Sequence, residues 1–174
     1  MDAYIFACDA TAQAIDDAVA AVGTSARAAL PLLGARRLYV AVEDTTPAGL
    51  FTKVADVVTI PGLTGVSTHL GSGWPVPPAM PLPTHGVVDL YVGFSLIRTL
   101  PGDTLSVYTA VQAITGVVGV AIVTGEHMSV LVESTAGDEA TLATIQSTVA
   151  STPGVDLAPT ATGAVDLGAG FTTA

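Results

Sequence analysis

The clearest pattern along the chain is a pair of short apolar runs, residues 117–123 and 127–133, joined by a turn that contains Gly125. Short runs rich in valine and separated by a glycine-containing turn are typical of a β-hairpin. Helix-periodic segments precede and follow this hairpin. The pattern therefore predicts a β-α-β-β-α-β unit, the ferredoxin-like split βαβ motif, over residues 87–165.

The first part of the chain also alternates between strand and helix patterns. Strand patterns with two-residue alternation flank segments in which apolar residues recur at helical spacing. The predicted segments are strand 3–8, helix 11–33, strand 37–43, helix 47–58 and strand 63–70. Gly23 weakens the middle of the first helix, so a break there is an alternative.

An internal repeat relates the two parts of the chain. Residues 57–71 align with residues 111–125, and Gly62 corresponds to Gly116 at an offset of 54 positions. A β-α-β core thus occurs twice. We expect an α+β fold of two ferredoxin-like repeats with antiparallel sheets packed together, in which residues 1–71 form a permuted or shortened copy.

A proline-rich segment, residues 72–86, separates the two predicted repeats and contains the only tryptophan, Trp74. Proline cannot donate to a strand ladder or continue a helix, so this segment is expected to be irregular. It is either a linker, a lid that places Trp74 and Met80 over a pocket, or a motif for a proline-recognising partner. Residues 166–174 are expected to form a tail.

Composition bears on the cellular location and the oligomeric state of the protein. Hydrophobic residues make up 50% of the 174 residues and the mean hydropathy is +0.63, yet no apolar run reaches the roughly 20 residues of a membrane span. The N-terminus also lacks the positively charged region of a signal peptide. We expect a cytoplasmic protein without membrane contact, and a homo-oligomer whose interface buries the excess apolar surface.

The charge excludes one class of partner. The formal net charge is −10, and the chain has only five basic residues. Nucleic-acid binding depends on basic side chains that contact phosphates, so nucleic acid is excluded as a main partner. The three histidines have no metal-ligand spacing, and neither a phosphate-binding loop nor a dinucleotide fingerprint is present, so no metal and no cofactor is predicted.

The second copy resembles a known family over residues 87–162. The residues that carry the resemblance are Ile114-Thr115-Gly116-Val117, Val123-Thr124-Gly125-Glu126 and Ser151-Thr152-Pro153-Gly154-Val155. They resemble the ligand-binding, RAM-like domain of the Lrp/AsnC transcription regulators, within the dimeric α+β barrel superfamily. The resemblance implies face-to-face sheets and a small ligand. No helix-turn-helix pattern precedes the copy, and His127-Met128 replaces the aromatic-Asp pair frequent in that family.

Candidate site residues come from the alternation along the strands. Two bulky strand faces are predicted to pack against helices: Leu38, Val40 and Val42 on one strand, and Leu90, Val92, Phe94 and Leu96 on the other. The opposite faces carry small and polar residues, the composition of a small-molecule pocket. The predicted ligand-binding residues are Tyr39, Glu43, Asp89, Tyr91, Ser95, His127, Ser129 and Glu133. The alternative is a packed barrel whose tyrosines fill the interior.

Two functions follow from different classes of protein. The Lrp/AsnC resemblance implies a non-catalytic protein that binds or senses a small apolar or aromatic ligand. The barrel superfamily implies instead a small cofactor-free oxygenase, isomerase or cyclase, and purely structural self-assembly is a third possibility. If the polar faces form a site, His127 and Tyr91 should point into one cavity, whereas a structural His127 would end the turn in solvent.

Overall fold

The structure is a computed structural model that describes residues 1–22, 26–31, 37–72, 91–124, 129–157 and 164–166. The elements of the first half are β1 (Asp2–Ala7), β2 (Asp9–Ala10), α1 (Ala12–Val22), β3 (Ala26–Pro31), β4 (Leu38–Glu43), α2 (Pro47–Val58), β5 (Leu63–Thr64) and β6 (Ser67–Ser72). Those of the second half are β7 (Tyr91–Thr99), α3 (Thr104–Gln112), β8 (Val117–Thr124), β9 (Val130–Ala136), α4 (Glu139–Ala150), β10 (Val155–Leu157) and β11 (Ala164–Asp166).

Both halves have the same strand arrangement. The strand order is β6-β1-β4-β3 in the first half and β10-β7-β9-β8 in the second, and every pairing is antiparallel. Each half-sheet has four strands. Taken in chain order, the first and third are central (β1 and β4, β7 and β9), and the second and fourth lie at the edges (β3 and β6, β8 and β10). This is the split βαβ arrangement. The predicted α+β fold of two ferredoxin-like repeats is confirmed.

The first half differs from its predicted form. It has all the elements of the motif, in the order β1-α1-β3-β4-α2-β6, and is not shortened. The helix predicted over residues 11–33 ends at Val22, and Ala26–Pro31 forms β3, which pairs with β4. Alanine and leucine spacing in a short apolar run suits a helix and a strand equally, so periodicity alone could not separate them.

The halves join through the strands that the internal repeat relates. β6 pairs with β8 in antiparallel register, with Leu70 opposite Thr124, and the Thr124 hydroxyl donates to the Leu70 carbonyl oxygen over 3.3 Å. These residues are each other's counterparts in the repeat, 54 positions apart. The antiparallel pairing of β6 with β8 joins the two halves into one nine-stranded sheet.

The sheet curls until its two halves face each other. Tyr39 on β4 and Phe94 on β7 stack with ring centroids 4.1 Å apart, although four strands separate β4 from β7 in the sheet order. In a flat sheet, strands so placed would be about 24 Å apart, because neighbouring strands lie about 4.8 Å apart. The two half-sheets therefore pack face to face, as in an α+β barrel.

The helices cover the outside of this curled sheet. Leu38, Val40 and Val42 of β4 pack with residues of α1 and α2, including Ala18 and Leu50. In the second half, residues of β7, β8 and β9 pack with α3 and α4; the cluster comprises Ile97, Val107, Val111, Val120, Val130, Val132 and Val149. We call the opposite face, between the half-sheets, the interior face. Its buried apolar residues are Tyr4, Phe6, Tyr39, Ala41, Val92, Phe94, Leu96, Ala121, Val123 and Leu131.

A glycine with a positive φ angle recurs in the turns between a helix and the strand that follows it. Gly62, Gly116 and Gly154 have φ angles of +93°, +91° and +91° and precede β5, β8 and β10. Side-chain-bearing residues rarely adopt this left-handed conformation. At Gly116 a Cβ atom would also collide with the side chain of Ile145. The internal repeat and the family resemblance therefore reflect, in part, the glycines that these turns require.

Side chains cap the starts of α2 and α4. Thr46 caps α2, which opens at Pro47 as predicted. The cap of α4 is Asp138, whose side chain accepts from the Thr141 N–H. Within the described helices, no segment has the length and apolar character that crossing a membrane requires.

Candidate functional site

The centre of the interior face is filled by side chains. All ten apolar residues of that face are at most 4% exposed. The ring of Phe94 stacks on Tyr39 and meets the ring of Phe6 edge-on at a centroid distance of 6.0 Å. Because these rings come from both half-sheets, the aromatic contact holds the halves together. The polar groups of the interior face that are relevant to a ligand site are therefore those that flank this aromatic core.

Two predicted site residues of β4 lie on the interior face. Tyr39 alternates with the helix-covered Leu38 and Val40 and belongs to the packed interior cluster. Glu43 ends the same strand, alternates in the same sense and is exposed. It lies opposite Asp2 of β1. The strand thus carries a buried ring in the middle and a carboxylate at its end.

Two predicted site residues of β7, Tyr91 and Ser95, lie on the helix-covered face and not on the interior face. The prediction placed Tyr91 and Ser95 on the side away from the helices, but Tyr91 packs against a cluster that includes Leu142 and Ile145 of α4. Ser95 is fully buried and alternates with the interior residues Phe94 and Leu96. The interior side of β7 carries the bulky residues instead.

The reason is the close approach of α4 to β7. A Cβ atom at Gly93 would lie 3.2 Å from both methyl groups of Leu142 and would collide with the side chain of Gln146. Small side chains on this face of β7 thus make room for a helix rather than for a ligand. The larger Val92 and Phe94 fill the wider gap between the two half-sheets.

On the hairpin, Glu133 and Ser129 share the interior side. Leu131 is part of the interior cluster, whereas Val130 and Val132 pack under the helices, so alternation puts Glu133 beside Leu131 on the interior face. Ser129 directly precedes β9. Its N–H donates to the Ile97 carbonyl oxygen at 2.9 Å, which keeps it in the ladder.

Glu133 occupies an unusual position for a carboxylate. It lies opposite Phe94 on one neighbouring strand and opposite Gly119 on the other. It is half-buried, and within the described part of the chain its carboxyl group has no hydrogen bond and no ion pair. Burial alone raises the pKa of Glu133 from 4.5 to about 7. The group therefore changes charge near neutral pH.

The first half contributes polar groups that the sequence reasoning did not select. Tyr4 lies opposite His69, which is 1% exposed and meets the ring of Phe6 at a centroid distance of 6.1 Å. The Tyr4 hydroxyl donates to the carboxylate of Asp2 over 3.5 Å. Alternation within residues 2–7 and 67–71 was the available signal. It was missed because both segments were interpreted as plain strands and His69 was considered only as a metal ligand.

The remaining predicted residues lie outside the described part of the chain. These are Asp89, His127 and the two residues of the suggested lid, Trp74 and Met80. The division of the chain at residues 72–86 stays a prediction, because residues 73–90 lie outside the described part; Ser72 belongs to β6. Among the described residues, no group of three or more histidine, cysteine, aspartate and glutamate side chains could hold a metal ion.

Comparison with known proteins identifies the fold. No protein-family model matches the chain, and no curated protein matches it. The siroheme decarboxylase NirDL, solved with and without an iron-uroporphyrin III analogue, is similar over 95% of this chain and 70% of its own, with a TM-score of 0.61 and 8% identity. A provisionally assigned monooxygenase of Fusobacterium nucleatum subsp. nucleatum matches over 95% of this chain and 90% of its own, with a TM-score of 0.48 and 9% identity.

The likeness to NirDL concerns the fold alone, because the identity is 8%. In this chain one polypeptide supplies both face-to-face half-sheets of the α+β fold. Fold does not decide function, so function is argued from the interior face and from Glu133.

Proposed function

We propose that this protein is a small-molecule-binding α+β barrel protein that holds an apolar or aromatic ligand on its interior face beside Glu133. One observation carries the proposal: Glu133 is a half-buried carboxyl group without a partner in the described structure, between Phe94 and Gly119. Phe94 and Leu131 supply apolar contact area, and Gly119 adds no side chain of its own.

The energetic cost of this arrangement supports a functional role. A carboxylate that loses water without gaining a hydrogen bond or an ion pair is unfavourable. A glutamine at position 133 would avoid this cost and have nearly the same shape. Strongly shifted pKa values cluster at functional sites for this reason. A ligand that pairs with Glu133 would recover the lost interaction.

The other predicted residues have secondary roles in the proposal. Tyr39 supports the Phe94 ring from the facing half-sheet, and Glu43 and Ser129 are proposed as further polar contacts. Asp89, His127, Trp74 and Met80 stay predictions, as do a homo-oligomer, kinship with the RAM-like domains and the absence of DNA binding.

Catalysis is the second candidate function, and the same residue favours it. A carboxyl group with a pKa near 7 is suited to accept and return a proton at neutral pH. Of the reactions that the fold class suggested, isomerisation by proton transfer requires the least additional machinery. Glu133 would then be the general base of a cofactor-free enzyme.

A co-purification experiment tests the binding function. The wild-type protein, Glu133→Gln and Glu139→Gln are isolated from the natural source under native conditions and compared by native mass spectrometry. Glu139 is an exposed glutamate in the first turn of α4 and provides the matched control. We expect a retained small molecule in the wild type and in Glu139→Gln, and at least tenfold lower occupancy in Glu133→Gln. An empty wild type, or equal occupancy in all three proteins, would contradict the proposal.

A further inference from the structure

We infer that the ligand beside Glu133 is a cation, namely an apolar or aromatic molecule that carries a protonated amine and no acidic group. This inference rests on the proposed binding function and adds the chemical class of the ligand. It follows from the charges that surround the interior face and from the neighbours of Glu133 in the sheet.

The protein supplies no positive partner for Glu133 within the described residues. Lys53 is already paired with Asp44 at 2.9 Å, and Arg98 with Asp156 at 2.8 Å. Arg98 lies on β7 next to Ile97, which is opposite Val130. Glu133 is three residues further along β9 than Val130, roughly 10 Å at 3.3 Å per residue. Within the described residues neither of these two cations is a partner of Glu133, so a cationic ligand would complement its carboxylate.

The immediate neighbours of Glu133 suit the apolar part of such a ligand. Phe94 is directly opposite on β7, a position where side chains on neighbouring strands are in contact distance. Leu131 is two residues away on the same face. A carboxylate beside an aromatic and an aliphatic side chain can bind an ammonium group by a charge-assisted hydrogen bond and the attached hydrocarbon by burial.

Anionic ligands are disfavoured by the charge of the same face. Alternation puts two further carboxyl-bearing residues, Asp2 and Glu43, on the interior side of the facing half-sheet, opposite each other on β1 and β4. The formal net charge of the whole chain is −10. The resulting potential attracts cations and repels anions before contact is made.

Binding of an amine should depend on pH through Glu133. The interior residues of β7 and β8 nearest to Glu133 are Val92, Phe94, Leu96, Gly119, Ala121 and Val123, none of which titrates. Arg98, further along the same side of β7, is paired with Asp156. On the interior side of β1, β4 and β6, the titratable residues that the structure describes are Asp2, Tyr4, Tyr39, Glu43 and His69. Burial holds the pKa of Glu133 at about 7, so its ionised form, which an ammonium ion requires, predominates only above that pH. Affinity for an amine should therefore rise from pH 6 to pH 8.

Three probes that share a 2-phenylethyl group test the ligand class. They are 2-phenylethylamine, 2-phenylethanol and 3-phenylpropanoate, titrated against the full chain while the Leu131 methyl and Phe94 ring signals are followed by NMR at pH 6 and pH 8. The amine stays protonated at both values. We expect the amine to bind at least tenfold more tightly than the alcohol at pH 8, severalfold less tightly at pH 6 than at pH 8, and the propanoate to bind most weakly.

Variants assign the preference to Glu133. Glu133→Gln should remove both the advantage of the amine and its pH dependence, while Glu133→Asp and the control Glu139→Gln should keep the preference for the amine. If the alcohol binds as tightly as the amine, or the propanoate binds more tightly, the cation inference is overturned while small-molecule binding stands. If no probe binds, the inference is also overturned, and the native mass spectrum decides separately whether the interior face holds another molecule.

Discussion

The two halves of the molecule have the same strand order but different interior chemistry. The outer faces are alike, since branched aliphatic residues pack under the helices in both. On the interior face the first half contributes the rings of Tyr4, Phe6 and Tyr39 together with the buried His69. Of the described residues, the second half contributes mainly aliphatic side chains, the ring of Phe94, and Glu133.

This difference shows which faces are constrained in composition by the helices and which are less constrained. The outer faces must meet helices, and helices demand apolar side chains of limited size. Within the described residues the interior faces meet each other, so one half can supply bulk where the other is small. The half that supplies less bulk also contains Glu133, whose carboxyl group has no partner among the described residues.

The largest effect is expected from a substitution that removes the contact between the two halves. Phe94→Ala should lower the free energy of unfolding by about 3–5 kcal/mol, because it removes a fully buried ring and leaves a cavity between the half-sheets. Phe51→Ala is the control, since Phe51 is 56% exposed on α2 and its loss should cost less than about 0.5 kcal/mol. Guanidinium chloride denaturation measures both, and similar losses would show that the halves do not depend on this ring.

The second expected effect concerns Glu133, and its sign depends on pH. Burial raises the pKa of Glu133 from 4.5 to about 7, so the folded protein holds this proton more tightly than the unfolded chain. Glu133 therefore destabilises the fold progressively as pH rises from about 4.5 to 7, by a total of about 3 kcal/mol. Glu133→Gln should raise the free energy of unfolding by up to that amount at pH 8 and by little at pH 4. Denaturation at both pH values tests this, and a pH-independent difference would refute it.

The third prediction tests how the first half anchors α2. Gly49 lies in the first turn of α2, and a Cβ atom there would be 2.5 Å from the carboxyl group of Asp44. Gly49→Ala should therefore destabilise the fold by about 1 kcal/mol, although alanine normally favours a helix by a similar amount over glycine. Gly137 has no atom within 4 Å of such a position and no positive φ angle, so Gly137→Ala is the control. Thermal unfolding in which both variants are equally stable would remove the steric explanation.

The smallest expected effect compares the helix starts of the two halves. Asp44 accepts from the Thr46 N–H and pairs with Lys53, and these bonds lower its pKa to about 2. The stabilisation is present above the unfolded pKa of 3.8 and is lost as pH falls toward 2. Asp44→Asn should thus lower the melting temperature slightly at pH 7 and hardly at pH 2.5. Asp103, the N-cap of α3, makes no side-chain capping bond, so Asp103→Asn should change nothing at pH 7.

Several features could be predicted from residues close together in the chain. The hairpin appears as β8 and β9, with Val120 opposite Val132. The start of α2 at Pro47 was predicted from a helix-opening residue. The repeat also predicted that two similar units pack face to face. Alternation correctly grouped Glu133 with Ser129, because the side-chain period of a strand does not depend on its neighbours.

What the sequence by itself determined is therefore the type of most elements and which residues share a face. Only the tertiary structure decided what each face meets. On β7 the bulky side of Phe94 could have packed under helices or against a second sheet, and the clash that a side chain at Gly93 would make with α4 settles the choice. Ala26–Pro31 became a strand because β4 offers it backbone partners, which outweighs a helical spacing of alanines. Both decisions depend on contacts between residues far apart in the chain, and local periodicity does not contain them.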